Sequence, residues 1–312
     1  MSALLSYATA QLLRALPREG ISRAMGRLAD HRWAPRLGST VVNLYSRAYD
    51  VDFDDCVESG GWESFDAFFT RRLKDGVRPM DGDSHVVVSP SDGKLESMGR
   101  IDPATTTFTV KGSPYRVDEL LGDADEAKRY AGGAGCVIYL SPRDYHRVHA
   151  PVAGSVRSIR SMRGDYLPVN AMGVKYFPNL FARNRRVAIA IDTPEESGLG
   201  RVTVVMVAAM IVGRITVTGV DARDVPYGVH SLERAIPVAK GDELGMFHLG
   251  STAVVFLEKA ACERWAREEG PIRLGEALAL ATKSDRSSAS PASGKGKDSG
   301  RTKKSNRNGS AR

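Results

Sequence analysis

Short runs of β-branched and apolar residues, separated by Gly, Pro and Asp, dominate the chain from about residue 84 onward. Runs of this length between turn residues are typical of strands, and too short for most helices. The sequence therefore predicts a β-rich domain over residues 81–281 with many turns. The runs lie at 85–88, 106–110, 137–140, 187–191, 202–210, 215–220 and 252–257.

Helical periodicity is found mainly in the first 80 residues. From Leu4 to Leu28 apolar residues recur every three or four positions with a break at Pro17, and residues 41–49 and 62–73 also have helical patterns. This spacing places the apolar residues on one face of a helix. Such a face can pack on the rest of the protein or on a lipid surface, and the periodicity does not distinguish these two environments. The predicted fold class is α+β: a helical, membrane-associating region over residues 1–80, followed by the β-rich domain.

The excess positive charge lies in the last residues. Residues 283–312 contain nine Lys/Arg and two Asp, so they account for the whole net charge of +7, and residues 1–282 carry thirty-five charges of each sign. A basic face on a folded domain is therefore not indicated, and we expect no nucleic-acid partner. The segment 282–312 is predicted to be a disordered basic tail, which leaves an anionic membrane surface as a neighbour.

The cysteines and the hydropathy restrict the compartment. Cys56, Cys136 and Cys262 are widely spaced and contain no CxxC pair, which favours a reducing compartment and no thiolate metal site. No run approaches the roughly 18 apolar residues of a membrane span. We expect a protein of the cytosol or of a membrane surface.

Two segments contain candidate acid–base residues. Asp92 lies in a Ser-Asp-Gly turn within SPSDGKL at 89–95, where a turn aspartate bonding its own backbone is the simpler interpretation. His146 and His149 lie three apart within YLSPRDYHRVHAPVAG at 139–154. Because no third ligand is suitably spaced, a general-base role is favoured over a metal site, and a pair of structural histidines remains the alternative.

A third segment contains a candidate nucleophile. In MFHLGSTAVVFLE at 246–258, Gly250 leaves the carbonyl before Ser251 unhindered, so that the hydroxyl can attack the preceding peptide bond. An ordinary turn before a strand is the alternative. LGST also occurs at 37–40, where Ser39 or Thr40 is expected to cap the N-terminus of a helix.

Taken together, these segments resemble the bacterial membrane-associated phosphatidylserine decarboxylases over roughly residues 40–258. The resemblance implies a self-cleavage triad of Asp92, His149 and Ser251, and a second histidine, His146, in the decarboxylation itself. The matching segments, in the order and spacing of that family, are FFTRRLKDGVRPM at 68–80, SPSDG at 89–93, YLSPRDYHRVHAP at 139–151, PNLFARNRRV at 178–187 and KGDELGMFHLGST at 240–252.

The resemblance also implies a mechanism and a cofactor. The chain would cut itself between Gly250 and Ser251, and Ser251 would become a covalent pyruvoyl group that forms a Schiff base with the substrate amine. His149, oriented by Asp92, would be the base for the cut. His146, with a pKa near the working pH, would reprotonate the substrate carbon after CO₂ leaves. No metal is implied.

The implied substrate is phosphatidylserine and the implied product is phosphatidylethanolamine. The protein would be peripheral and would reach this lipid from the cytoplasmic face of the cell membrane. The cleaved large and small chains would stay together as a heterodimer, possibly dimerised further. Alternatives are a decarboxylase of another amine-bearing substrate, a conventional serine hydrolase without a GxSxG elbow, and a non-catalytic membrane-surface protein.

Overall fold

Residues 11–13, 16–211 and 214–281 are described by a computed structural model. The sequence interpretations that concern Leu4, Leu5 and Ala8 and the basic tail lie outside these residues. Helices dominate the first part of the described chain, and shorter ones occur between strands further on. The helices are α1 (Arg18–Asp30), α2 (Pro35–Tyr49), α3 (Phe65–Phe69), α4 (Val117–Leu121), α5 (Ala124–Lys128), α6 (Ala171–Tyr176) and α7 (Leu180–Arg183).

Helix α2 begins earlier than the sequence predicts. Pro35 occupies its first turn, where the missing N–H costs nothing, so the helix begins before the first LGST segment. Ser39 and Thr40 therefore lie inside the helix, and their hydroxyls donate to the Arg36 carbonyl. The prediction that either residue caps the helix was wrong. Helix α3 is shorter than the predicted 62–73, and its N-terminus is capped by the Ser64 hydroxyl, which accepts from the Ala67 N–H.

Helix α1 packs through small residues and not through its large apolar ones. Ser22, Gly26 and Ala29 are the buried positions, whereas Leu28 is 49% exposed. The Ser22 hydroxyl also accepts a hydrogen bond from the Ile211 N–H, which ties the helix to the β-rich part. The periodic apolar face is therefore only partly used for packing on the protein.

Strands are the commonest regular element of the described chain after residue 85. They are β1 (Val86–Val88), β2 (Gly93–Arg100), β3 (Thr107–Val110), β4 (Ser113–Arg116), β5 (Ala134–Leu140), β6 (Arg147–His149), β7 (Gly154–Met162), β8 (Arg186–Asp192), β9 (Arg201–Ala208), β10 (Arg214–Val217), β11 (Gly228–Val238), β12 (Glu243–His248), β13 (Ser251–Leu257), β14 (Arg264–Trp265), β15 (Gly270–Ile272) and β16 (Ala277–Leu280). The α+β prediction is confirmed.

An eight-stranded antiparallel sheet forms the centre of the domain, in the order β11-β7-β8-β9-β13-β5-β2-β15. Strand β13 is paired along its whole length with β9 on one side and β5 on the other. All seven of its residues are buried, because its apolar and β-branched side chains meet the core on both faces. The main hydrophobic core lies against this sheet.

A second, three-stranded sheet has the order β10-β12-β6. Strand β12 belongs to this sheet, and the next strand, β13, belongs to the eight-stranded sheet. The chain therefore passes from one sheet to the other through Leu249 and Gly250 alone. Leu249 also belongs to a small core that includes Phe68 and Phe69, so the helical part packs directly on this connection.

A buried ionic network links the helices to β12. The Asp66 carboxylate in α3 accepts a hydrogen bond from Nδ1 of His248 at 2.8 Å and pairs with Arg214 at 2.8 Å. Arg214 also pairs with Asp30 at the end of α1. Three segments far apart in sequence are thus fixed around one carboxylate.

We expect Asp66→Ala to lower the free energy of unfolding by about 2–3 kcal/mol, because it leaves buried donors of Arg214 and His248 without their acceptor. Urea unfolding on a Ser251→Ala background, which keeps one intact chain, measures the change. Asp125→Ala is the matched control, since that carboxylate is exposed and its loss should cost under about 0.5 kcal/mol. Equal losses in the two variants would contradict the role given to the network.

Candidate active site

The connection between β12 and β13 has an unusual backbone. Leu249 has φ 84° and Gly250 has φ 37°, both in the left-handed region. That region costs little for glycine, but a branched residue such as leucine occupies it only when the surroundings hold it there. Leu249 is held by the small core, in which its side chain is 8% exposed. The peptide bond before Ser251 thus lies in a constrained turn.

Ser251 is the first residue of β13 and is almost completely buried, at 1% exposure. Its Oγ has no hydrogen-bond partner among the described residues. A buried hydroxyl without a partner is rare, since it loses its bonds to water and gains none in return. The hydroxyls of Ser91 and Thr252 are also buried without a partner among the described residues, so this feature alone does not identify a reacting group. What distinguishes Ser251 is that it directly follows the left-handed backbone of Leu249 and Gly250.

The other predicted site residues lie around the same end of the large sheet. Ser251 pairs with Leu140 at the end of β5, and Asp92 immediately precedes β2 on the other side of β5. His149 ends β6, and its N–H donates to the Pro90 carbonyl at 2.8 Å. The topology therefore brings the three motifs to one region, although they are separated by long stretches of sequence.

His149 is held as a neutral imidazole. Its Nδ1 lies 2.7 Å from the Gly241 carbonyl, which can only accept, so Nδ1 carries the proton. Its Nε2 then has a free lone pair and accepts from the Tyr145 hydroxyl at 3.1 Å. Burial lowers the pKa of His149. A neutral imidazole with an unprotonated Nε2 is the form required of a general base.

Asp92 is bound by an arginine in this structure. Its carboxylate accepts from Nε and Nη2 of Arg78, the latter at 2.8 Å, and from the Leu274 N–H at 2.8 Å. The predicted bond from Asp92 to His149 is not formed, because Nδ1 of His149 is directed to Gly241. The triad roles of Asp92, His149 and Ser251 remain predictions.

His146 is completely buried, with its ring 4.0 Å from that of Phe69. Its Nδ1 lies 2.8 Å from the Asp144 carbonyl, and its Nε2 has no partner among the described residues. Burial, and then the charge of Arg71, lower the pKa of His146 to about 3. The expectation of a pKa near neutrality was wrong for this structure, because the ring has no access to solvent. An unprotonated Nε2 must receive a proton before it can donate one.

The contacts of His149 and Asp92 include residues that the sequence analysis did not select. Tyr145 and Gly241 bond the two nitrogens of His149, and Arg78 holds Asp92. Tyr145 lies in the segment at 139–154 that contains both histidines, and Arg78 lies in FFTRRLKDGVRPM at 68–80. Their position within these motif segments could have identified both residues. Gly241 also lies in a motif segment, KGDELGMFHLGST at 240–252, but its residue type does not reveal the contact, because it acts through its backbone carbonyl.

An apolar groove of about 400 Å³ opens beside the constrained turn. Gly250 forms part of its wall, so the groove leads directly to the bond predicted to be cut. The remaining wall consists mainly of side chains from α1, α2 and α3, among them Leu28, Tyr45, Tyr49, Phe65 and Phe69, together with Trp33 from the loop between α1 and α2.

No group of three or more His, Cys, Asp or Glu side chains among the described residues is placed to hold a metal ion. The reactive side chains placed near this end of the sheet are the hydroxyl of Ser251, the imidazoles of His146 and His149, and the Asp92 carboxylate held by Arg78.

Comparison with known proteins decides the family. The sequence profile of a family described as phosphatidylserine decarboxylase matches residues 65–280, which include Asp92, both histidines and the Gly250–Ser251 bond. The chain belongs to the phosphatidylserine decarboxylase family. The predicted membership is thereby confirmed.

Individual relatives agree with the family assignment. The chain is 36% identical over 278 residues to the phosphatidylserine decarboxylase proenzyme of Myxococcus xanthus, covering 87% of this chain and 98% of that protein. It is 38% identical over 278 residues to the proenzyme of Bordetella pertussis, covering 85% and 91% of the two chains. Both relatives are named as phosphatidylserine decarboxylase proenzymes.

We expect Gly250→Ala to fold but to cut itself about tenfold more slowly, because alanine disfavours the left-handed φ of the intact turn by about 1–2 kcal/mol. A Cβ at Gly250 meets no heavy atom within 4 Å, so the effect would be conformational and not a clash. A gel time course after synthesis measures the rate. Gly60→Ala is the matched control, since Gly60 has similar space and a φ outside that region. Unchanged cutting in Gly250→Ala would contradict the importance of this backbone.

The buried His146 should make the fold sensitive to acid. Its pKa is lowered from 6.5 to about 3, so between these values only the unfolded chain binds the proton, and stability falls as pH falls. On a Ser251→Ala background, His146→Gln should reduce this loss by up to about 1.4 kcal/mol per pH unit between about pH 6 and pH 4. Urea unfolding across that range measures it, with His31→Gln at an exposed position as control. If the free energy of unfolding fell equally with pH in His146→Gln and in its parent, His146 would not be the source of the acid sensitivity.

Proposed function

We propose that the chain cuts itself between Gly250 and Ser251 and then decarboxylates phosphatidylserine to phosphatidylethanolamine, in phospholipid biosynthesis. The activity follows from membership of the family. The observation that carries the self-cleavage is the buried, unpartnered hydroxyl of Ser251, directly after two residues with left-handed backbone.

The chemistry of the cut can be written with residues of this chain. Nε2 of His149, once released from Tyr145, takes the proton of the Ser251 hydroxyl as its oxygen attacks the Gly250 carbonyl. The peptide nitrogen leaves and an ester remains. Loss of the α-proton of Ser251 then expels the Gly250 carboxylate and leaves dehydroalanine. Dehydroalanine takes up a proton at Cβ and tautomerises to an imine, and addition of water to the imine releases ammonia. The products are a large chain ending at Gly250 and a small chain starting at the former Ser251.

The residues at Ser251 fit a pyruvoyl group. The Ser251 hydroxyl is enclosed and makes no hydrogen bond to a described residue that conversion of the side chain to a methyl group would break. When present, the ketone supplies an electron sink for the charge left by CO₂, a capacity that no ordinary side chain has. His146, whose Nε2 has no partner among the described residues, is assigned to take up a proton during the reaction and to return it to the substrate carbon.

Contact with a membrane surface is supported by the helices. Leu37 is 58% exposed and Leu44 is 70% exposed, and the apolar groove beside Gly250 is formed largely by the same helices. We assign the groove to the acyl chains of the substrate, because it joins this apolar surface to the reacting bond. None of the described helices has both the length and the apolar composition needed to cross a bilayer.

The small chain would stay attached after the cut as part of a heterodimer, because β13 is paired on both sides within the large sheet. On this account residues 1–80 form the membrane-associating region, and residues 81–281 form the catalytic domain. We place the protein at the cytoplasmic face of the cell membrane, as a peripheral protein bound to an anionic surface.

Ser251→Ala should give a full-length chain that releases no CO₂ from phosphatidylserine, because it removes both the nucleophile and the source of the ketone. Ser39→Ala, in the other LGST segment, should cut normally and remain active. A denaturing gel measures the cut, since the parent should give fragments of 250 and 62 residues from a chain of 312. Trapping of labelled CO₂ measures the activity.

Each alternative has a distinct outcome in the same assays. A serine hydrolase acting on an external ester would keep one intact chain in the parent protein. A non-catalytic membrane protein would release no CO₂ before or after the substitution. A decarboxylase of another amine would cut itself but leave phosphatidylserine unchanged.

A further inference from the structure

Arg71 is a buried cation without an anionic partner. Arg71 is 6% exposed, and its Nη2 donates to the carbonyls of Arg143, at 2.8 Å, and Asp144, at 3.4 Å. The neutral thiol of Cys56 is a weak acceptor beside the guanidinium, and Nε and Nη1 have no oxygen or nitrogen acceptor among the described residues. No described carboxylate lies within ion-pair distance of the guanidinium, although ion pairs are frequent elsewhere in the described chain. An unpaired buried charge is costly, which indicates a partner that the protein itself does not supply.

The guanidinium lines a polar cavity of about 440 Å³, whose acidic residues are already engaged or lie in solvent. Asp55 and Asp92 bind Arg78. The Asp144 carboxylate accepts from the N–H and hydroxyl of Ser141, and burial raises its pKa. Glu276 pairs with Arg267, and Asp50 and Asp52 are exposed. The thiol of Cys56 lies beside Arg71, and burial raises its pKa, so it stays neutral.

Arg71 lies where the polar cavity meets the apolar groove. Tyr49 and Pro142 line the groove, and the next residue of each, Asp50 and Arg143, lines the polar cavity. The guanidinium binds the backbone immediately after Pro142 and lies 5.5 Å from the ring of Phe68. Its charge also acts on His146 beside it. The free donors are therefore close to both the lipid-binding groove and the reacting groups.

We propose that Arg71 binds the phosphodiester of the phospholipid substrate at the junction of the two cavities. The proposal rests on the proposed function, and it identifies how that site recognises a phospholipid in place of a free amino acid. The unused Nε and Nη1 lie on different edges of the guanidinium, because Nη2, the partner of either atom in a bidentate pair, already donates to backbone carbonyls. Each unused nitrogen can therefore donate a separate charge-assisted hydrogen bond to a phosphate oxygen.

The phosphodiester is a better partner than the serine carboxylate. In a diacyl phospholipid the phosphodiester connects the apolar chains to the headgroup, which is the position of Arg71 between the groove and the polar cavity. The carboxylate must leave as CO₂, and an ion pair with arginine would stabilise it before the reaction and oppose its loss. The phosphodiester is unchanged by the reaction, so binding it does not slow the chemistry.

The test compares Arg71→Gln and Arg71→Lys with the parent and with Arg72→Gln, an exposed neighbouring arginine used as control. Self-cleavage on a gel is checked first and should be complete in all four. The substrate is dihexanoyl-phosphatidylserine below its micellar concentration. KM should rise about tenfold or more in Arg71→Gln with kcat within about threefold, rise less in Arg71→Lys, and stay unchanged in Arg72→Gln.

Two inhibitors separate phosphate binding from a general structural effect. Dihexanoyl-phosphatidylmethanol contains the phosphodiester and no carboxylate, and its inhibition constant should also rise about tenfold in Arg71→Gln. Dihexanoylglycerol contains neither anion and should inhibit both proteins equally.

The proposal would be overturned if Arg71→Gln raised the KM for phosphatidylserine but left the inhibition constant of dihexanoyl-phosphatidylmethanol unchanged. Arg71 would then bind the serine carboxylate of the substrate. Weakened inhibition by dihexanoylglycerol as well would reduce Arg71 to a structural role. If Arg71→Gln fails to cut itself, Arg71→Lys carries the same comparison. If the parent releases no CO₂ from phosphatidylserine, the proposed function itself fails.

Discussion

The pairing of β13 with both β5 and β9 is the constraint on which the rest of the site depends. Seven consecutive buried residues of this strand are fixed in the centre of an eight-stranded sheet, starting at Ser251. The strand before it is fixed in a different sheet, so the two residues between them must complete the change of direction. The left-handed backbone of Leu249 and Gly250 follows from this. The same pairing would hold a severed β13 in place, which allows a chain to break at that point without losing its fold.

The helices and the reactive turn are parts of one structure. Leu249 packs with Phe68 and Phe69 of α3, and His248 bonds Asp66 of the same helix. The helices also form most of the apolar groove that reaches Gly250. A lipid bound by these helices would therefore contact the elements that position the reacting bond. Ser251 and His146 are almost completely buried, and His149 is half-buried, so bulk water has little access to the first two groups.

The sequence predicted those elements whose burial is uniform. Strands β5, β8, β9 and β13 are buried on both faces and read as continuous apolar runs. Strand β7 was missed because polar Ser and Arg residues, of which Arg157 is exposed, alternate with its apolar positions. The three site motifs were recognisable from residue types and family resemblance. The hydrogen-bond partners of His149 and Asp92 could not be predicted in the same way, because contacts between distant segments determine them. A backbone carbonyl such as that of Gly241 can belong to any residue type, so the sequence does not reveal its contact.

The central claim is that Ser251 becomes a ketone when the chain breaks before it. Mass spectrometry of the purified protein tests this most directly, because it reports the end groups of both fragments. The account predicts a large chain ending in a free carboxylate at Gly250, and a small chain that resists Edman degradation and is lighter by one ammonia than a fragment with an N-terminal serine. An intact polypeptide, or a small chain with an ordinary serine at its start, would contradict it.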